Sequence, residues 1–161
     1  MFVSMKSHLR NLVLICCCCM LLCNGMRDAQ AQYFSAASSN ILSSNVSYDS
    51  AILYTLYGLY YGDSSYFYIA HIAMYDAYYK AYYGYYYGLN GYIIYGATIN
   101  YYCQLFAYYD YVYKSYAYPL LYNNYLGYDY TSGIISYSYL GDYYNGYAAY
   151  YCGLSSIGGA F

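Results

Sequence analysis

Apolar positions recur at helical spacing in three stretches of this chain, and in most of them the apolar residue is tyrosine. In the stretch 51–62 (AILYTLYGLYYG) tyrosines stand at 54, 57, 60 and 61, which predicts a helix over about 51–61. Asp63-Ser64-Ser65 then offers N-cap chemistry for a second helix over 65–83. In it Ala70, Ala73, Ala77 and Ala81 form a small-residue stripe flanked by Tyr75, Tyr78, Tyr79, Tyr82 and Tyr83. Asp76 and Lys80 pair at i, i+4 with the acid first, and Gly84 stands as a C-terminal stop. A third helix is expected over about 97–117, halted by Pro119, the only proline. Tyrosine favours strands by propensity, but the spacing outweighs that preference here.

The remaining stretches carry no such period. Gln32 to Ser50 has six serines before Tyr48 and few aromatics, so it reads as a flexible, solvated arm. From Asn123 onward Gly, Asn and Ser interrupt the tyrosines, and Asn145-Gly146 and Ser136–Tyr139 favour turns and short strands. The fold class is therefore a low-complexity, tyrosine-rich chain with helical segments, an irregular C-terminal part and no globular fold. One unit recurs within it: Tyr75-Asp76-x-x-Tyr79-Lys80-x-Tyr82 returns 34 residues later as Tyr109-Asp110-x-x-Tyr113-Lys114-x-Tyr116. Two copies are too few for a solenoid.

The N-terminus adds a different pattern. Lys6, His8 and Arg10 precede twelve uninterrupted apolar residues, Leu12 to Cys23, and Ala29-Gln30-Ala31 gives a small-x-small cleavage signature. Residues 1–31 are expected to be a secretory signal peptide cut after Ala31, followed by the arm (32–50) and a tyrosine-rich structural region (51–161). Twelve residues are too few to span a bilayer, which takes roughly 20. The alternative is an anchor palmitoylated on Cys16 to Cys19.

Cutting the leader changes the composition. Of 161 residues 130 remain, with all 37 tyrosines, six aspartates, two lysines and no arginine, for a net charge of −4. Such a chain has nothing to neutralise phosphates, so nucleic acid is not an expected partner, and none is expected from the membrane after cleavage. Five of the seven cysteines leave with the leader; Cys103 and Cys152 remain as a candidate disulfide, within one chain or between two. Asn45-Val46-Ser47 is a candidate N-glycosylation sequon.

Candidate chemistry is sparse. His71 stands alone on an Ala/Ile face and reads as a packed helical histidine. The aspartates are scattered without calcium-loop spacing, the cysteines lack a nearby histidine, and no phosphate loop occurs. No enzyme activity, metal or cofactor is expected. The signal lies in the phenols. Thirty-seven exceed what a core of this size needs, so use between chains outweighs use in folding. Tyr78, Tyr79, Tyr82, Tyr83, Tyr85, Tyr86 and Tyr87, the densest run, are the candidate cross-linking residues, coupled ring to ring by an external peroxidase. Catechol tanning wants amines, and two lysines are few.

The leader, the body dominated by Tyr with Gly and Ala, and the near absence of charge resemble tyrosine-rich shell matrix proteins of molluscs. That resemblance, compositional and spread over most of the chain after residue 31, implies a secreted framework role in the organic matrix of a biomineral. Self-association, other matrix proteins, and mineral or polysaccharide surfaces are the partners it implies. Helminth eggshell precursors and mussel-type adhesives share parts of the pattern, although the adhesives carry more lysine. A reading from another class is a small secreted helical module that binds a ligand or acts as an antimicrobial.

Overall fold

Four helices carry the chain: α1 Phe2–Tyr61, α2 Ser64–Tyr95, α3 Thr98–Tyr125 and α4 Thr131–Ser156. The computed structural model describes the backbone of residues 2–157 and the side chains of residues 25–157. The basic leader residues, the Leu12–Cys23 run with Cys16–Cys19, and residues 158–161 lie outside the described side chains. The expected low-complexity chain without a globular fold is thereby corrected. The helices pack on one another along their lengths, and α4 closes on α1.

Each helix buries a stripe whose members stand alternately three and four residues apart. On α1 it runs Phe34, Ala37, Ile41, Ser44, Tyr48, Ala51, Thr55; on α2, Ala70, Met74, Ala77, Ala81, Gly84, Gly88, Gly91. On α3 it runs Asn100, Cys103, Ala107, Asp110, Lys114, Ala117, Leu121, Asn124; on α4, Ile134, Ser138, Gly141, Asn145, Ala148, Cys152, Ser155. A repeat averaging about 3.5 residues keeps one face on its neighbours throughout, as in a coiled-coil bundle. Neighbouring helices run in opposite directions. A Cβ at Gly58 would meet Phe67, and one at Gly91 would meet Phe34. Cys103 pairs with Cys152, while Lys114 passes Gly141. Tyr48 reaches Ser138, and Asn145 reaches Ile41.

The buried residues are mostly small, so the helices approach closely and the few large ones need matching gaps. A Cβ at Gly84 would lie 2.6 Å from Ile41 Cγ1, and one at Gly91 2.6 Å from Phe34 Cζ. This explains why α2 runs through Gly84, the expected stop, to a C-cap at Gly96, where φ is 62°. A mid-helix glycine costs about 1 kcal/mol, and burying an Ile or Phe side chain returns about 1.5–3 kcal/mol. Asp63 does cap α2, accepting from the Ser65 N–H at 2.9 Å.

Three further expectations are corrected. Helix α3 passes Pro119 and ends at Tyr125. The proline sits on the exposed side between buried Ala117 and Leu121, so the carbonyl it leaves without a helical donor is the one four residues back, at Ser115. The C-terminal part is a helix, and Asn145-Gly146 is not a turn but lies within it, with Asn145 at a core position and Gly146 exposed. Gln32–Ser50 is helical too, and contributes Phe34, Ile41 and Ser44 to the interior. Helix α1 continues through Ala31, and among its described side chains the first buried one is Phe34.

Candidate functional site

A polar layer divides the interior into two apolar halves. One half gathers Tyr48, Ala51, Met74, Ala117, Leu121 and Ile134; the other holds Phe34, Ile41, Cys103, Ala107, Ala148 and Cys152. Between them all four helices contribute a polar group. Lys114 Nζ lies 2.7 Å from Asp110 Oδ1 and donates to Ser44 Oγ at 2.8 Å. Ser44 in turn donates to the Ala77 carbonyl at 2.7 Å. Asn145 Nδ2 donates to Asp110 Oδ2 and to the Ile41 carbonyl, both at 3.1 Å. The Tyr48 ring lies 5.4 Å from Nζ, and its hydroxyl donates to the Ser138 carbonyl at 2.6 Å.

Burial governs the electrostatics of this layer. The side chains of Lys114 and Asp110 are 1% and 0% exposed. Burial pushes the Asp110 carboxyl above the usual carboxylate range, against the pull of Lys114 and Asn145. It pushes the Lys114 ammonium down, against the pull of Asp110. The Tyr48 phenol is raised well above its ordinary range, first by burial and then by the charge of Asp142. Charged groups this deep persist only when paired and hydrogen-bonded, and each member here has such partners.

Apart from Tyr48, the described tyrosines stand beside the buried stripes and outside them. Between α2 and α3 the rings of Tyr78 and Tyr85 stack on Tyr111 at centroid distances of 5.4 and 6.1 Å, and Tyr78 also stacks on Tyr118 at 5.2 Å. Between α3 and α4, Phe106, Tyr109 and Tyr113 meet Tyr144 and Tyr151; Tyr113 and Tyr144 are 5.4 Å apart and nearly coplanar at 7°. These ladders close two grooves of the bundle. The α1/α4 groove is mainly aliphatic instead, a hollow of about 340 Å³ lined by Ile52, Leu56, Leu59, Ile134 and Ile135 together with Tyr48, Tyr139 and Asp142. Burial and neighbouring phenols hold Tyr78 and Tyr113 above the ordinary phenol range.

The run of seven candidate cross-linking tyrosines is split by the helix. Tyr79, Tyr82 and Tyr86 face solvent at 38–47% exposure, while Tyr78, Tyr83, Tyr85 and Tyr87 are half-buried in ring contacts. Tyr79 and Tyr83 bring their hydroxyls within 3.2 Å. Cys103 and Cys152 form a disulfide within the chain, Cα–Cα 4.6 Å, joining α3 to α4. Closing a loop of 49 residues stabilises the fold by about 4 kcal/mol on the chain-entropy view. Asn45 lies half-buried on helical backbone, with its amide oxygen enclosed, rather than on a solvated arm.

His71 Nδ1–H donates to the Tyr118 carbonyl at 2.7 Å and pins α2 to α3. The sequence reading missed Ser44 and Asn145 as partners of Asp110 and Lys114. Their one signal is the three-four spacing that Ser44 shares with Ile41 and Tyr48 and Asn145 with Gly141 and Ala148, obscured because polar residues occupy the buried places. Among the described residues no group of three or more His, Cys, Asp or Glu side chains is placed to hold a metal ion. No described helix is long and apolar enough to cross a membrane. Comparison with protein families, with characterised proteins and with solved structures finds no match for this chain.

Proposed function

We propose that the protein is a secreted, folded building block of an extracellular organic matrix, of the shell-matrix kind its composition resembles, self-associating through outward tyrosines that an external peroxidase can couple. One observation carries this reading: the bundle is inverted at its polar layer and over much of its surface. A lysine, an aspartate, three asparagines and several serines are buried, while large apolar side chains such as Val46, Leu56, Tyr75, Tyr79, Ile93 and Tyr150 are exposed. Exposed rings on this scale favour contact with other copies. Among the described side chains of α1 the first buried one is Phe34, just after Ala31, which suits removal of a leader.

The aliphatic α1/α4 groove favours a second reading, a helical module that binds an apolar ligand. Sedimentation over a concentration series, before and after treatment with peroxidase and peroxide, separates the two. Concentration-dependent assembly and dityrosine fluorescence in the treated assemblies are expected. A monomer at every concentration, with its tyrosines unmodified, would favour the module.

A further inference from the structure

The polar layer brings together an amine, a carboxyl and a carboxamide, all buried. Lys114 Nζ stands on one oxygen of Asp110 at 2.7 Å, and the Asn145 amide nitrogen stands on the other at 3.1 Å. One carboxyl thus bridges the nucleophile of α3 and the amide of α4. Oδ1 is buried and has the Lys114 ammonium at 2.7 Å as its one close polar neighbour among the described residues, with no aligned hydrogen bond fixing it. Gly141 of α4 faces the Lys114 chain, and a Cβ there would meet Lys114 Cγ at an ordinary contact distance of 3.5 Å. The exposed copy of the motif, Asp76 and Lys80, has Ser47 as its partner and no carboxamide.

We propose that Lys114 and Asn145 join spontaneously in an isopeptide bond, with Asp110 moving the proton, so that α3 and α4 carry a second covalent link beside Cys103–Cys152. Proton transfer inside the ion pair gives a neutral amine and a neutral carboxylic acid, the forms that burial favours on both sides. The Nζ lone pair attacks Asn145 Cγ. The proton that Asp110 gained passes to the leaving Nδ2, and a proton from the attacking nitrogen replaces it on the carboxyl. The Cγ–Nδ2 bond breaks, ammonia departs, and Asp110 is left as the neutral acid formed in the first transfer. No oxidant, metal or cofactor takes part. Amine and carboxamide held on one buried carboxyl have the high effective concentration that the uncatalysed reaction lacks.

The test is the mass of the folded full chain after disulfide reduction, followed by trypsin. The expected result is a mass lower than the sequence mass by one ammonia, with cleavage after Lys80 but none after Lys114, so that residues 81–161 stay in one piece. The full sequence mass with cleavage at both lysines would overturn the proposal. A succinimide at Asn145-Gly146 would lose the same ammonia but leave Lys114 cleavable, and that outcome overturns it too. Asp110→Ala should restore both the full mass and cleavage at Lys114; retention of the link in that variant would remove Asp110 from the mechanism. Asn145→Ala, read in the same way, must also lose the link and covers the case in which Asp110→Ala does not fold.

Discussion

The same eight-residue pattern occurs twice in this chain and does opposite things. In α2, Tyr75–Tyr82 places the Lys80–Asp76 pair on the surface, with side chains 31% and 50% exposed, beside Ser47 of α1. In α3, Tyr109–Tyr116 places Lys114 and Asp110 in the centre of the bundle, beside Ser44 of α1. The residues and the i, i+4 geometry are alike; the buried face differs. In α2 it runs through Ala77 and Ala81, the residues after the Asp and the Lys, and in α3 it runs through the Asp and Lys themselves. A shift of one residue is about 100° around a helix at 3.6 residues per turn. That rotation turns a solvated ion pair into a core. Local sequence makes the pair, and the small residues around it decide where it points.

The largest difference between the copies should appear on truncation. Lys114→Ala leaves a buried carboxyl without its partner and should cost about 3–5 kcal/mol in denaturant unfolding. Lys80→Ala should cost about 0–1 kcal/mol, since the exposed pair is screened by water and salt. Equal losses would show that the two copies share one environment. A second contrast concerns what each buried face accepts. Gly84→Ala and Gly91→Ala place a Cβ against Ile41 and Phe34 and should each cost about 1–3 kcal/mol, measured by the same unfolding curves. Gly146 and Gly153 of α4 face open space, so alanine there should stabilise by up to about 1 kcal/mol.

Acid should separate the copies in opposite senses. Burial by itself would raise the Asp76 carboxyl, but hydrogen bonds from Lys80 and Ser47 and the charge of Lys80 hold it below the usual value. A folded pKa below the unfolded one contributes stability above the unfolded value, near 3.9, and loses it as pH falls through the folded value. Asp110 is displaced upward, so protonation favours its folded form, and its charged form weighs against folding as pH rises through the folded value. Acid unfolding of Asp76→Asn should therefore lack part of the loss below about pH 4 seen in the native chain. The smallest effect is expected among the phenols: in an ultraviolet titration, Tyr78→Phe and Tyr113→Phe should each remove a late-ionising component at alkaline pH.

Part of this architecture was legible in the sequence. The Asp63 cap and the alanine stripe through Ala70, Ala77 and Ala81 place α2. The rest was hidden by inversion. Apolar periodicity finds a helix when rings lie on one face, but here tyrosines occupy nearly every face that is not buried. The buried face of α3 reads Asn100, Cys103, Ala107, Asp110, Lys114, which carries a three-four period without a hydrophobic signal. Gly84, Pro119 and Asn145-Gly146 mislead for a related reason. Each breaks an isolated helix, yet each lies where packing or the solvent side makes it tolerable.

Acylation of the native protein with an amine-specific reagent, read by mass spectrometry of the two lysines, tests the inverted bundle most directly. Rapid labelling of Lys80 with Lys114 silent is the expected result. Labelling of both at similar rates would contradict it, because a lysine that reagent reaches freely is not the centre of a core.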